Sequence, residues 1–220
     1  MNKLTTEQIG TVSNYIQSFD IKWYELQVEL TDHFVSIMEE IWNEDPALTF
    51  HQVKQIAEQR FGRNYFKEVE KEKIKILGKE YNRSQRKMVT EYLKFPKIIL
   101  SILMIFFVYK TFFYFDDFHK YIKVISTFFL IGSLFMLINW FRFRRIDGEC
   151  FLAIEIVFGR ISIATIFWNS LLNFTKDYAP NQYLLFAISF LWVLGFLFLI
   201  TGIHIANKTV SNIKKQYQLS

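Results

Sequence analysis

The chain has 220 residues, of which 51% are hydrophobic and 19% aromatic, and its formal net charge is +5. Its one cysteine, Cys150, excludes an internal disulfide bond and a cysteine-based metal cluster. From Ile98 onward long apolar runs alternate with short charged loops, whereas the first 97 residues have the composition of a soluble helical domain. We therefore expect an all-α protein with a helical headpiece and a membrane-spanning bundle.

Two short helices of the headpiece are predicted from their first turns. Thr5 and Gln8 have the spacing of a capping box, and Thr49 and Gln52 repeat it. The first of these helices should end near residue 18. The other should end at Gly62, which we expect to adopt a left-handed C-cap conformation.

Between them, residues 21–43 predict a longer amphipathic helix. Its apolar side chains recur at spacings of three and four, which places one face against a core. His33 is expected inside this apolar stripe, with Glu29 one turn earlier as its hydrogen-bond partner. Asp32 points to another side, and no second histidine shares the helix, so this helix predicts no metal site.

Residues 64–95 predict a long, highly charged helical stalk, with Gly78 and residues 82–84 as candidate breaks. The expected domain layout has four parts: an interaction domain at 1–62, a basic stalk at 63–97, a transmembrane domain at 98–206 and a tail at 207–220.

Charge is distributed unevenly along the headpiece and stalk. Residues 1–45 contain two lysines and nine acidic residues, a net charge of −7, whereas residues 46–97 contain thirteen basic and six acidic residues, a net charge of +7. The two halves should therefore attract each other. A basic segment next to a membrane also favours anionic lipid. Nucleic acid is not an expected partner, because acidic residues are mixed with the basic ones and no nucleic-acid-binding motif is present.

Four apolar runs are long enough to suggest membrane crossings, which require about 20 residues. They cover residues 98–115, 124–141, 150–178 and 183–206. The third run contains Glu155 and Arg160, which a bilayer centre disfavours, so we expect its crossing to be centred near Phe167. With Asn169 and Asn173, these residues give the third span a polar side suited to helix packing, to a partner protein or to a polar path.

Basic residues near the ends of the four spans predict the orientation. Twelve lie in the segment before the first span, the second loop and the tail, and four lie in the other two loops. By the positive-inside rule, we expect both termini to be cytoplasmic. Residues 1–10 are polar and contain no apolar run, which predicts no cleaved signal peptide.

The headpiece resembles a known family. Glu29-Leu30-Thr31-Asp32-His33, followed by Thr49, Ala57 and Phe61-Gly62, is similar to the Glu-Leu-x-x-His helix and Phe-Gly ending of bacterial HAAS or permease-prefix domains. The resemblance covers roughly residues 5–62. It implies a regulatory or interaction module in which Glu29, Leu30, His33 and Gly62 define the domain and are not catalytic. Such domains precede membrane spans, but no permease core follows here.

Two functional hypotheses follow. In the first, the chain is a non-enzymatic regulator or scaffold of the bacterial inner membrane, without a cofactor, whose cytoplasmic headpiece binds a protein partner through residues that include Glu29, Asp32 and His33. In the second, it is a small transporter subunit or intramembrane enzyme that uses Glu155, Arg160 and Asn169. The short outer loops, which leave little room for a substrate-binding domain, favour the first. Homo-oligomerisation is left open.

Overall fold

A computed structural model describes residues 3–62, 64–160 and 180–218. This part of the chain is helical and contains no β-strand, apart from an isolated bridge between Trp23 and Cys150. The chain divides into two compact units. The first unit comprises Met1–Ile76 and Asp147–Leu152, and the second comprises Leu77–Ile146 and Ala153–Ser220. The all-α prediction is therefore confirmed for the described residues.

The first unit contains three complete helices and the beginning of a fourth. They are α1 (Thr6–Gln17), α2 (Tyr24–Glu44), α3 (Phe50–Phe61) and α4 (Tyr65–Tyr92). Both predicted capping boxes are present. The Thr5 and Thr49 side chains accept hydrogen bonds from the backbone N–H groups of Gln8 and Gln52, whose side chains bond back to the two caps. These bonds satisfy N–H groups that a helix start otherwise leaves unpaired.

A single hydrophobic cluster holds these helices together. The apolar stripe of α2 supplies its centre, and α1, α3 and the first turns of α4 pack around it. Its buried members include Val12, Ile16, Leu26, Leu30, Phe34, Met38, Ile41, Val53, Ala57, Phe61 and Phe66. Because Phe66 is buried here, the first turns of the stalk are part of the headpiece core. The segment 147–152 also joins this unit, since the Cys150 carbonyl accepts a hydrogen bond from the Tyr24 N–H at 2.9 Å.

The second unit contains the apolar helices. After the end of α4 come α5 (Lys97–Thr111), a 3-10 turn (Phe112–Tyr114), α6 (Phe118–Phe143), α7 (residues 152–160) and α8 (Gln182–Gln216). Three segments of the described chain are long and apolar enough to cross a membrane: Lys97–Tyr114, Phe118–Phe143 and Gln182–Gln216. They correspond to the first, second and fourth predicted spans. The predicted crossing centred near Phe167 lies outside the described residues.

Buried hydrogen bonds connect these apolar helices. The Trp192 indole N–H of α8 donates to the Ile125 carbonyl of α6 at 2.9 Å. The Tyr121 hydroxyl of α6 donates to the Val108 carbonyl of α5 at 3.1 Å. Each bond satisfies a polar group that would otherwise face an apolar environment. Most of the large side chains of α5, such as Leu103 and Phe107, are exposed, as expected for a surface that contacts lipid.

The stalk is continuous, and the breaks predicted at Gly78 and residues 82–84 are wrong. Helix α4 runs without interruption from Tyr65 to Tyr92. Gly78 permits a close approach instead, because a Cβ atom at this position would lie 2.8 Å from Nη2 of Arg160. A mid-helix glycine disfavours a helix by only about 1 kcal/mol, which the rest of a 28-residue helix can offset.

Candidate functional site

The exposed side of α2 carries three of the residues predicted to define the headpiece or to bind its partner. Leu30 is buried in the core, whereas Glu29, Asp32 and His33 are exposed. The expectation that His33 lies within the buried stripe is therefore wrong. The buried face of α2 is centred near Phe34 and Ile41, and at about 100° per residue His33 lies about 90° from that centre.

The predicted pairing of Glu29 with His33 is also wrong. The Glu29 carboxylate accepts a hydrogen bond from Lys73 Nζ of α4, with 2.5 Å between the atoms. The His33 ring instead packs edge-on against Phe61 and parallel to Tyr65, with centroid separations of 5.5 and 6.4 Å. His33 thus covers the junction between α3 and α4 on its solvent side.

Ion pairs join the acidic and basic parts of the headpiece. Besides Glu29 and Lys73, Glu44 at the end of α2 lies 3.6 Å from Arg60 of α3. Both pairs connect the acidic first 45 residues to the basic segment that follows, as the charge distribution predicts. They are largely exposed, so each contributes less than about 1 kcal/mol to stability. The carboxylates of Glu29 and Glu44 on α2 therefore each already have a basic partner.

Gly62 ends α3 with a positive φ, although not in the predicted left-handed helical conformation. Its φ of 70° and ψ of 165° lie in a region that only glycine adopts readily. No heavy atom lies within 4 Å of the position of an added Cβ. The requirement for glycine is therefore conformational and does not come from crowding.

Tyr15 of α1 forms a small polar cluster with α3. Lys54 Nζ lies 4.3 Å from the centre of the Tyr15 ring and forms an ion pair with Glu58 at 3.0 Å. Burial, and then the negative charge of Glu58 and a hydrogen bond with it, together raise the pKa of Tyr15 to about 12. The Tyr15 hydroxyl is therefore held in its neutral form.

In the second unit, the two charged residues predicted in the third span contact other helices. The Glu155 carboxylate accepts a hydrogen bond from the Trp140 indole N–H of α6 at 3.0 Å. The Arg160 guanidinium donates to the Asn82 side chain of α4 at 3.3 Å. Glu155 and Arg160 therefore have different partners on different helices. Asn169 and Asn173 lie outside the described residues.

A polar groove of about 340 Å³ lies between α4, α7 and α8, within the second unit. Apolar side chains of α7, including Ile156 and Val157, form one wall. The other two helices provide the polar lining: Glu80, Tyr81 and Ser84 from α4, and His204, Lys208, Thr209 and Asn212 from α8. Its volume falls in the range of about 300–1,000 Å³ that small-molecule sites occupy.

Tyr81 is the most buried polar residue of this groove, with 5% of its surface exposed. The effect of burial outweighs the lowering effects of Arg160 and Gln85, so the pKa of Tyr81 is raised to about 12. The Gln85 side chain is close, but its Nε2 donates to the Phe198 carbonyl at 3.1 Å. No hydrogen bond of standard geometry reaches the Tyr81 hydroxyl within the described chain. A buried hydroxyl without a partner disfavours folding by about 1–3 kcal/mol, which a bound ligand could relieve.

Sequence reasoning missed this groove. Its residues follow helical spacing on α4 at 77, 80, 81, 84 and 88, and on α8 at 204, 205, 208, 209 and 212. Each set therefore marks one face of a helix. The spacing was visible, but nothing in the sequence indicates that two faces separated by more than 100 residues line one space. Within the described residues, no group of three His, Cys, Asp or Glu side chains could hold a metal ion.

No protein-family model, curated protein or solved structure matches this chain.

Proposed function

We propose that this chain is an integral membrane regulator or scaffold whose headpiece binds a protein partner on the cytoplasmic side of a bacterial inner membrane. Three helices capable of spanning a membrane support the membrane location. The basic residues beside the spans support the cytoplasmic placement of both termini and a fourth crossing between α6 and α8. The resemblance of residues 5–62 to HAAS-type domains supports a regulatory role.

The observation that carries the partner proposal is an exposed acidic stripe on α2. Asp32, Ser36 and Glu40 follow one another at four-residue intervals on the solvent side, while the opposite side of α2 is buried. Glu29 is neutralised by Lys73, but no basic side chain within the described chain forms an ion pair with Asp32 or Glu40. A folded helix that presents fixed, unneutralised carboxylates suits a basic surface on a partner.

Anionic lipid is the proposed second contact. Arg83, Arg86 and Lys87 are exposed in the last turns of α4, and Lys94 is exposed between the end of α4 and the first apolar helix. Basic residues next to a membrane gain about 1 kcal/mol each from anionic lipid close to the surface. This contact would hold the end of the stalk against the headgroups.

Affinity capture from native cells with mass spectrometry tests the proposal. The variant Asp32→Lys/Glu40→Lys reverses the acidic stripe, and Glu68→Lys/Glu72→Lys makes the same number of charge reversals on exposed positions of α4. We expect a specific protein to be lost in the first variant and retained in the second and in wild type, at equal membrane abundance. An identical protein list for all three chains would contradict the proposal.

A transporter subunit or intramembrane enzyme is the second candidate, and the polar groove is the observation that favours it. Arg160 bonds to Asn82 beside the groove and raises the local positive charge. This candidate expects Arg160→Ala to abolish activity, whereas the headpiece variants would retain it. A cellular phenotype that follows Asp32→Lys/Glu40→Lys and is insensitive to Arg160→Ala would favour the regulator.

A further inference from the structure

The groove between α4, α7 and α8 contains opposite charges that do not neutralise each other. Glu80 of α4 and Lys208 of α8 line the same space, yet no ion pair joins them within 4.0 Å. Neither residue forms a hydrogen bond or an ion pair elsewhere in the described chain. Two fixed charges of opposite sign on separate walls are complementary to a ligand that itself has a positive and a negative end.

Further polar groups lie close to each charge along the helices. His204 precedes Lys208 by one turn on α8, so both can face the same end of a ligand. Tyr81 follows Glu80 on α4 and offers a buried hydroxyl without a hydrogen-bond partner in the described chain. The lysine and histidine side chains suit a phosphate, and the carboxylate suits an ammonium group.

The position of the groove favours an amphipathic ligand. The uncharged run of α8 ends at Ala206, so His204 and Lys208 lie on either side of the point where the apolar helix becomes polar. The α7 wall is apolar where it faces the groove, through Ile156 and Val157. A ligand with a charged head and an apolar body would satisfy both surfaces, as a phospholipid at the membrane interface does.

We propose that this groove binds a zwitterion of the phosphoethanolamine type, with its phosphate at Lys208 and His204 and its ammonium group at Glu80. A membrane phospholipid headgroup is the source that the apolar wall favours, and a free zwitterion offers the same charged groups. The site is separate from the acidic stripe on α2 and does not depend on the proposed partner of the headpiece.

Binding to the purified full-length chain in detergent tests the proposal. The probes are short-chain phosphatidylethanolamine, short-chain phosphatidic acid, which lacks the ammonium group, and short-chain phosphatidylglycerol, which carries a neutral headgroup beyond its phosphate. We expect wild type to bind phosphatidylethanolamine at least about tenfold more tightly than the other two, a difference of about 1.4 kcal/mol. Equal affinity for all three lipids would overturn the proposal.

Two neutralising variants assign the two ends of the ligand. Glu80→Gln should lose the preference for phosphatidylethanolamine over phosphatidic acid, because only the ammonium contact is removed. Lys208→Gln should weaken the binding of both lipids by about tenfold or more, because the phosphate contact is removed. Matched controls are Glu91→Gln on α4 and Lys215→Gln on α8, which change the same charges at exposed positions outside the groove. Behaviour of Glu80→Gln identical to Glu91→Gln would overturn the assignment.

Two additional measurements complete the test. Competition by free phosphoethanolamine within about tenfold of the lipid would identify a soluble zwitterion as the ligand, and a failure to compete would identify the lipid. If a neutralised variant does not fold, Ser84→Trp replaces it, since Ser84 is an exposed residue of α4 at which an indole would fill the groove. Undiminished binding of phosphatidylethanolamine by a folded Ser84→Trp chain would contradict the site.

Discussion

At the scale of single residues, amphipathic periodicity located the face of α2 correctly but not the edge of that face. Leu30 and Phe34 are buried as the spacing predicts, whereas His33, which directly precedes Phe34 in the chain, is exposed. Residue spacing predicts the direction of the buried face of a helix, but it leaves the boundary of that face uncertain by about one side chain. Which borderline residue is covered depends on the neighbouring helix, and that helix is not encoded in the local pattern.

The ionisation of Tyr15 provides a residue-scale prediction. Glu58→Gln removes a negative charge and a hydrogen-bond acceptor beside the hydroxyl, so the pKa of Tyr15 should fall below its wild-type value of about 12. The measurement is an NMR titration of the tyrosine Cζ shift in the full chain, with Tyr15→Phe to assign the signal. An unchanged titration in Glu58→Gln would mean that burial alone raises the pKa.

The same shift has a defined effect on stability. The unfolded chain loses the Tyr15 proton near pH 10, before the folded chain does, so the unfolded state binds fewer protons between about pH 10 and 12. The stability that the folded chain gains by keeping the Tyr15 proton is therefore fully present below pH 10 and is lost as the pH rises through 12. In Tyr15→Phe, the decline in headpiece stability over this interval should be shallower than in wild type.

Gly78 and Arg160 provide a second prediction at this scale. Gly78→Ala gains about 1 kcal/mol of helix propensity, but its Cβ displaces the Arg160 guanidinium from its place beside Asn82. We expect Gly78→Ala to stabilise an Arg160→Ala chain more than wild type, by about 0.5–1.5 kcal/mol, the usual contribution of the lost hydrogen bond. The unfolding midpoints of four chains, namely wild type, Gly78→Ala, Arg160→Ala and the double variant, measure the difference. Additivity within about 0.3–0.5 kcal/mol would contradict the coupling.

At the scale of elements, the headpiece was largely predictable because its helix ends are encoded locally. The capping boxes at Thr5 and Thr49 lie within four residues of the helices they start, so the backbone groups they satisfy are known from the sequence alone. The stalk was less predictable. Its glycine suggested a break, but the close approach of Arg160, 82 positions away, gives Gly78 another role.

Two glycines in the headpiece should respond oppositely to the same substitution. Gly62→Ala places a side chain at a φ of 70° and should destabilise the end of α3 by about 1–3 kcal/mol. Gly10 lies within α1, and no atom is within 4 Å of the Cβ that an alanine would add there. Gly10→Ala should therefore stabilise α1 by about 0.5–1 kcal/mol, because alanine favours a helix interior more than glycine does. Hydrogen exchange of the full chain should therefore become faster at the end of α3 in the first variant and slower in α1 in the second. Faster exchange in both would show that Gly10 also has a conformational role.

At the scale of the whole molecule, hydropathy predicted three apolar helices of the described chain, although α6 begins before its apolar run and α8 continues past Ala206. The described spans agree with the first, second and fourth runs because each run is long and free of charge at its centre. The groove was not predictable in this way. It forms where α4, α7 and α8 meet, and a groove between helices depends on tertiary packing that a periodicity within one helix does not specify.

The proposed orientation can be measured with the one native cysteine removed. In a Cys150→Ser background, Asp116→Cys places a thiol in the loop between α5 and α6, and Ser211→Cys places one near the end of α8. Both positions are exposed. Because the basic residues predict cytoplasmic termini, a membrane-impermeant maleimide added to intact cells should label Asp116→Cys and leave Ser211→Cys unlabelled until the membrane is opened.

The same experiment tests the number of crossings. The loop after α5 and the end of α8 are separated by the crossing of α6, by that of α8 and by any crossing between them. With four spans these two positions face opposite sides, because three crossings separate them. With only the three described spans they would face the same side, because two crossings separate them. Labelling of both cysteines in intact cells, or of neither, would therefore contradict a crossing in the third apolar run and place the tail on the same side as the first loop.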